Sequence, residues 1–269
     1  SGQVQRGEVW FNELRMSDMD NKGGYAAVAN LDTNLADFAT VSATTRMSTI
    51  GFGSLEQGPN ERSREDVFQY DIVTNLNLGK LLPKKWRINL PLNYGVGEQT
   101  ITPKFDPFYQ DIELKQLLKF TSDPTERSNI ENRAIDYTKR TSINLIGVKK
   151  EKNPEKKPHF YDVENITLSY SLNETQHHDY EIENLVDQQN RSTVDYAYSF
   201  KPLSVEPFKE TKLFKKSSYY KLLSDFNFNF LPTNISFSST ILRQFNKQRF
   251  RLVDVQGIGL GDLYRRNYF

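Results

Sequence analysis

Apolar and polar residues alternate along the stretch Trp86 to Val96, WRINLPLNYGV. Because the side chains of a β-strand point alternately to opposite faces, this period of two predicts a strand with two unlike faces. Its eleven residues, at about 3.3 Å each, reach roughly 35 Å, and tilted by about 45° they cover most of the hydrocarbon core of a bilayer. The stretch is therefore predicted to be a transmembrane β-strand.

The same alternation predicts which side chains of this strand meet lipid. The aromatic residues lie near its two ends, where amphipathic rings favour the membrane interface. We expect the apolar set to face lipid and the polar set to face a lumen. The lipid-facing residues are Ile88, Leu90, Leu92 and Tyr94, and the lumen-facing residues are Asn89 and Asn93.

Further segments show the same period of two and are separated by turn signals such as Asp20 to Gly24. Each is followed by a turn or loop rather than by a crossover helix, so neighbours in sequence are expected to pair as an antiparallel meander of about nine or ten strands. The predicted strands lie at residues 8–18, 25–35, 38–50, 72–78, 142–148, 166–173, 194–200, 226–230 and 235–241.

The period breaks between Gly97 and Thr141, where three prolines divide the sequence. Two pieces of this insertion have helical spacing, residues 111–119 and 125–139. We therefore expect a loop insertion at 97–141, with helix confined mainly to 108–140 and lying as a cap over a barrel mouth. The rest of residues 1–269 is predicted to be one β-barrel segment. Since the chain begins and ends abruptly, we interpret it as an internal fragment of a longer chain.

The amino-acid composition narrows the classes of function that the chain could have. The hydrophobic fraction of 37% and the mean hydropathy of −0.66 are low for a compact enzyme and ordinary for a barrel in which every second residue meets lipid. A formal charge of +1 argues against a nucleic-acid surface. The absence of cysteine excludes disulfides, cysteine nucleophiles and zinc–thiolate sites within this sequence.

The sequence contains no strong signature of a catalytic, cofactor-binding or metal site. The three histidines, His159, His177 and His178, match no metal-ligand spacing, and an adjacent pair on a strand points to opposite faces. The glycine string GIGLG at 257–261 lacks the spacing of a dinucleotide fingerprint, so a turn or bulge is preferred. The carboxylates have no apolar context that would raise their pKa values for acid–base work. We predict no catalytic, cofactor-binding or metal site, no cofactor and no enzymatic activity.

Several long strings resemble the SprA/Sov family, in the same order along roughly residues 7–210, with LPTNISF (231–237) after them. They are long and idiosyncratic, so the resemblance is specific. The strings are GEVWFNELRMSD (7–18), LADFATVSA (35–43), STIGFGSLEQ (48–57), ERSREDVFQYDIVTNLNLGKLLPKKW (61–86), ITPKFDP (101–107) and KPHFYDVENITLSYSLNET (157–175).

The resemblance implies an all-β fold in which antiparallel meander strands form an arc of a very large outer-membrane β-barrel, with a helical insertion on one long loop. The family forms the outer-membrane translocon of the type IX secretion system and supports gliding motility in Bacteroidota. By resemblance, the chain would be wall and cap of a pore that exports folded cargo. Its implied partners are secreted cargo proteins, other outer-membrane and periplasmic components of the system, plug or gating proteins, and the lipid bilayer.

A second interpretation is a soluble β-sandwich, such as a carbohydrate-binding or adhesin module of a surface protein. The low hydropathy and the short strands favour it. A sandwich strand alternates core with solvent over about five or six residues, and the stretch from Trp86 to Val96 exceeds that length.

Overall fold

The computed structural model describes residues 22–58, 61–201, 204–205, 228–229, 232–251 and 259–268. Strand accounts for 59% of the structure and helix for 14%, so the fold is built on β-structure. The described strands are β1 Ala26–Leu35, β2 Ala39–Ser48, β3 Glu65–Asn77, β4 Ile88–Asn89, β5 Pro91–Pro103, β6 Asp136–Lys150, β7 Ile166–His178, β8 Ile182–Ser199, β9 Ser204–Val205, β10 Phe228–Asn229, β11 Asn234–Arg251 and β12 Gly259–Tyr268.

The strands form an open antiparallel meander. Ten of them belong to one sheet in the order β1-β2-β3-β5-β6-β7-β8-β11-β12, with the short β4 pairing with β6, and β9 pairs only with β10. Neighbours in the sheet are thus neighbours in sequence, except that β4 lies between β3 and β5 in sequence and β9 and β10 lie between β8 and β11. The predicted antiparallel meander is confirmed, and the sheet is not closed.

The helices occupy the predicted insertion. Helix α1 is Leu114–Phe120 and helix α2 is Pro124–Ala134. Helix α2 begins where expected because Asp123 caps it, its Oδ1 accepting a hydrogen bond from the Thr125 amide at 3.1 Å, and because proline is tolerated in a first turn. Among the described residues, no helix is both long enough and apolar enough to cross a membrane. Short 3₁₀ helices lie at Leu78–Leu81, Lys84–Trp86 and Val163–Asn165.

The stretch from Trp86 to Val96 is not one continuous strand, so this prediction was wrong in part. Trp86 ends a 3₁₀ helix, Arg87 has a positive φ of 52°, and the strand pairing breaks at Leu90. Proline has no amide donor and is tolerated at the first residue of a strand, which explains why β5 starts at Pro91. The predicted strand residues before it instead form the β3–β5 connection and the short β4.

The insertion is shorter than its predicted bounds of 97–141, since β5 continues to Pro103 and β6 already begins at Asp136. Residues 97–103 and 136–141 lack a clear period of two because both of their faces carry polar side chains there. The two helices are confirmed, with α2 ending at Ala134 rather than Lys139. That residues 1–269 form one barrel segment stays a prediction.

Candidate functional site: two unlike faces of one sheet

The sheet has one polar face and one apolar face. Residues paired directly across an antiparallel ladder share a face, and successive residues of a strand alternate. The register therefore assigns every second residue of each strand to the same side. One side, the polar face, carries Thr40, Asn75, Asn93, Asn144 and Ser171 in a single row across five strands.

Side-chain amides on the polar face bond to one another across strands. The Asn144 amide nitrogen donates to Asn93 Oδ1 at 3.2 Å, and the Asn93 amide nitrogen donates to Asn75 Oδ1 at 2.6 Å. Asn75 in turn donates to Thr40 Oγ1 at 3.3 Å. This asparagine ladder connects β2, β3, β5 and β6 and satisfies polar groups within the sheet.

Two glycines of β5 keep the polar face flat. Gly95 and Gly97 are buried. A Cβ atom at Gly95 would lie 2.5 Å from Ser142 Oγ, and one at Gly97 would overlap the Asp71 carboxylate. Glycine at both positions lets the side chains of the neighbouring strands lie across β5.

The opposite side, the apolar face, carries aliphatic and aromatic side chains that remain exposed. Phe237 is 63% exposed, Leu31 60%, Ile241 51% and Leu168 48%, values that show a face without cover from the described residues. Within the described strands, Ala39 is the only buried apolar residue of the sheet. Other members of this face are Leu76, Leu92, Tyr94, Ile143, Leu172, Val194, Tyr196 and Ile235.

The register bears out most of the two-sided assignment for residues 88–94. Leu92 and Tyr94 lie on the apolar face, and Asn93 lies on the polar face. Asn89 pairs with Lys149, which pairs with Thr167 of the polar side, so Ile88 points the other way. Leu90 lies outside any strand, where its carbonyl accepts a hydrogen bond from the Leu78 amide at 2.9 Å.

Charged residues replace the apolar ones farther along the same face. Glu98 of β5 pairs with Lys139 of β6, with 3.0 Å between Oε1 and Nζ. Tyr70 and Tyr137 lie beside them in the same region of the sheet. The exposed apolar residues therefore form a band that ends at a border of tyrosines and charges.

The insertion packs differently from the sheet, around a small core of its own. Leu114, Ile130 and Ala134 are buried against one another, with Leu117 and Leu118 packed beside them. Beneath them, the fully buried Asp106 accepts a hydrogen bond from Arg133 Nη2 at 2.8 Å. Asp106 also accepts from the Phe108 amide at 3.0 Å, and the Arg133 guanidinium lies 5.1 Å from the Phe108 ring centroid.

Polar contacts connect this insertion to the far ends of the strands. Lys115 of α1 bonds Asp66 at 3.3 Å. Arg251, the last residue of β11, donates to the Asp179 carbonyl at 2.9 Å and to the Asn132 carbonyl at 3.3 Å. The C-terminal part of α2 is thereby connected to the β7–β8 turn.

The adjacent histidines lie at this contact and point to opposite faces, as predicted. His177 Nδ1 is 2.9 Å from Thr138 Oγ1, and its Nε2 is 3.1 Å from Asp179 Oδ2. His178 stacks on Tyr137 at 5.3 Å between ring centroids. Burial lowers the pKa of His178, with Arg251 and His177 lowering it further.

The histidines and glycines singled out in the sequence do not come together in the described part of the structure. Within the part of the chain that the structure describes, no three His, Asp or Glu residues are arranged to hold a metal ion. His159 lies far away in the β6–β7 connection, stacked on Tyr161. Of the GIGLG string, Gly259 and Gly261 lie in β12 beside a register shift at Arg249/Arg251. Gly257 lies outside the described residues, as do Phe226, Phe230 and the strand predicted at 8–18. The sequence did not reveal the Asp106–Arg133 pair, because its two members are 27 residues apart.

A family model described as a motility related/secretion protein matches residues 1–118. The first 118 residues are thus similar to a family of motility- and secretion-related proteins, and the described part of the chain folds as an open antiparallel meander. This match over the first 118 residues supports the resemblance to the SprA/Sov family found in the sequence. No curated protein matches the chain.

Proposed function

We propose that this chain forms part of the wall and cap of a protein-conducting translocon in the cell outer membrane, which exports folded cargo in type IX secretion and supports gliding motility. The observation that carries the proposal is the apolar face. Contiguous exposed apolar surface of this extent marks a face that meets something other than water. Alternation of apolar and polar residues over successive long strands is the pattern of a membrane barrel wall.

The polar face suits the lining of a wide conduit. Amide and hydroxyl side chains there bond to one another across strands, and they give the face a polar, water-compatible surface. The Asn144–Asn93–Asn75–Thr40 row is an example. A lining of this kind conducts cargo and turns over no substrate.

The sandwich interpretation requires a second sheet over the apolar face. Among the described residues, the strands outside the main sheet are the two-residue β9 and β10, too short to cover ten strands. A single arc whose edges join further strands explains the exposed face better, and membrane lipid then covers it.

The insertion is the segment that we assign to capping and partner contact. It has its own core and is attached to the sheet through a few polar contacts at the strand ends. Long loops carried on a rigid frame are common sites of recognition. Its partners would be plug or gating proteins, secreted cargo, or other outer-membrane and periplasmic components of the secretion system.

The test is a deletion in the full-length protein. Residues 105–134 are replaced by a short glycine–serine linker, and a control removes the exposed residues 54–57 of the β2–β3 connection. We expect both proteins to fractionate with the outer membrane and only the first to release cargo abnormally. Normal secretion and intact partner complexes in the first variant would refute the cap role. Recovery of the unaltered full-length protein in the soluble fraction would refute the membrane role.

A further inference from the structure

A basic and aromatic surface lies at the end of the sheet opposite the insertion. It is formed by the β3–β5 connection and the β6–β7 connection, which are adjacent in space. We name it the basic-aromatic patch and define it by Lys84, Lys85, Trp86, Arg87, Lys156, Lys157, Phe160 and Tyr161.

Arg87 holds the two connections together. Its left-handed backbone, with a φ of 52°, turns the chain towards β4. Its guanidinium Nη1 lies 3.1 Å from Asn153 Oδ1, and its carbonyl accepts a hydrogen bond from the Glu151 amide at 2.7 Å. The two connections therefore present their side chains as one surface.

The β6–β7 part of the patch lies over the end of the apolar face. Tyr196 and Tyr198 of β8 belong to that face, since they pair with Phe237 and Ile235. The Tyr196 hydroxyl donates to the Phe160 carbonyl at 2.5 Å, and the Tyr198 hydroxyl donates to the Pro158 carbonyl at 3.3 Å. The patch thus continues the apolar band.

Positive charge in the patch exceeds what nearby acids neutralise. The β3–β5 connection, residues 78–90, has four Lys or Arg residues and no acid, whereas the β6–β7 segment 149–165 has five Lys and four acids. Asp37 pairs with Lys80 at 3.0 Å and Glu164 with Lys150 at 3.3 Å. Among the described residues, the exposed lysines 84, 85, 156 and 157 have no acidic partner within 4.0 Å.

Large apolar side chains stand exposed among these cations. Leu81 is 70% exposed, Tyr161 69%, Phe160 62% and Trp86 55%. Amphipathic rings together with lysines whose stems are apolar favour the boundary between hydrocarbon and headgroups. A soluble anion would not explain the exposed rings.

We propose that the basic-aromatic patch binds the phosphate headgroups of anionic glycerophospholipids, such as phosphatidylglycerol. The lysine ammonium groups bond the phosphates, and the rings lie at the level of the acyl-chain junction. This inference rests on the proposed membrane location of the sheet. It adds that one end of the wall selects anionic lipid.

The experiment uses detergent-solubilised full-length protein, titrated with phosphatidylglycerol or phosphatidylcholine, with bound lipid counted by native mass spectrometry. The test variant carries K84Q, K85Q, K156Q and K157Q. The matched control removes four exposed cations elsewhere, with R46Q, R127Q, R140Q and R191Q. We expect tighter binding of phosphatidylglycerol than of phosphatidylcholine, a loss of at least about tenfold in the test variant, and little change in the control.

Three further arms make the outcomes decisive. Raising the salt concentration should weaken phosphatidylglycerol binding, and millimolar inorganic phosphate should not displace the lipid, because the rings contribute as well. Displacement by inorganic phosphate, equal binding of the two lipids, or equal loss in test and control variants overturns the proposal. Flotation of the unaltered protein with phosphatidylcholine vesicles tests the membrane role separately, so loss of lipid preference with intact flotation contradicts only the patch.

Discussion

The insertion and the sheet of this chain are stabilised in opposite ways. In the insertion, Leu114, Ile130 and Ala134 are buried and a fully desolvated carboxylate is paired with Arg133. In the sheet, aliphatic side chains such as Leu31 and Ile241 are more than half exposed. The insertion therefore has the interior of a small water-soluble unit, whereas the described sheet leaves its apolar side for another medium.

A buried core and an uncovered apolar face indicate different properties of the protein. A buried core explains how a segment holds its own shape, and it says little about where the protein works. An uncovered apolar face says little about local stability, since its burial depends on lipid or on further chain. Changes in the insertion should therefore act locally, and changes on the apolar face should act on membrane insertion.

The largest expected effect concerns the buried ion pair. Replacing Arg133 by alanine leaves the Asp106 carboxylate buried without its partner, which should destabilise the insertion by about 3–5 kcal/mol. Arg127→Ala, at an exposed position of the same helix, should change little. Hydrogen exchange of residues 104–135 in the full-length protein measures both. Equal effects of the two substitutions would show that the Asp106–Arg133 ion pair does not stabilise the insertion.

A somewhat smaller effect is expected from arginine on the apolar face. Ile72 and Val73 are consecutive β-branched residues of β3 that point to the apolar and the polar face, respectively. Ile72→Arg should cost about 2–4 kcal/mol of membrane-inserted stability if it lies near the midplane, and Val73→Arg should be tolerated. Urea unfolding in lipid vesicles provides the comparison, and similar midpoints for both variants would contradict the assignment of faces.

The smallest expected effect depends on pH. Because the pKa of His178 is lowered in the folded protein, an opened state takes up the proton first as pH falls below about 6.5, the ordinary histidine value. The contact between α2 and the β7–β8 turn should thus be tighter at pH 8 than at pH 5.5. Hydrogen exchange of residues 130–135 and 176–182, corrected for intrinsic rates, reports it.

His178→Phe is the control for this pH effect. Phenylalanine keeps the stacking on Tyr137 and cannot titrate. The dependence on pH between 5.5 and 8 should shrink in this variant. Asp179 does not add to it in that range, since hydrogen bonds from Ile182 and His177 outweigh burial and lower its pKa. An unchanged dependence would assign the titration to another group.

The meander could be predicted from the sequence because a strand shows a period of two wherever one of its faces is apolar and the other polar. The sequence predicted both helices from the spacing of Leu114, Leu117, Leu118 and Ile130. It failed at strand ends such as 97–103, where polar residues occupy both faces and the period of two disappears. The strand prediction also failed at Leu90. The alternation of apolar and polar residues continues there although the strand is interrupted, and only the following proline indicates the interruption.

Long-range contacts could not be predicted in the same way. The asparagine ladder needs the register of four strands, and the Asp106–Arg133 pair needs the path of the loop between them. The joining of two basic connections by Arg87 likewise depends on a backbone conformation that the sequence does not display. The period of the hydrophobic residues specifies which face of a strand a side chain lies on. The register between strands and the conformation of the turns determine which side chains come into contact.

The most direct test of the central claim is cysteine accessibility across the sheet in membranes. Single cysteines replace Ile143, Leu172 or Phe237 on the apolar face and Ser142, Asn173 or Ser238 beside them on the polar face, in full-length protein free of other reactive cysteines. A water-soluble maleimide should label the second set and spare the first, and detergent solubilisation should leave that difference smaller. Equal labelling of both sets in intact membranes would contradict a lipid-facing wall.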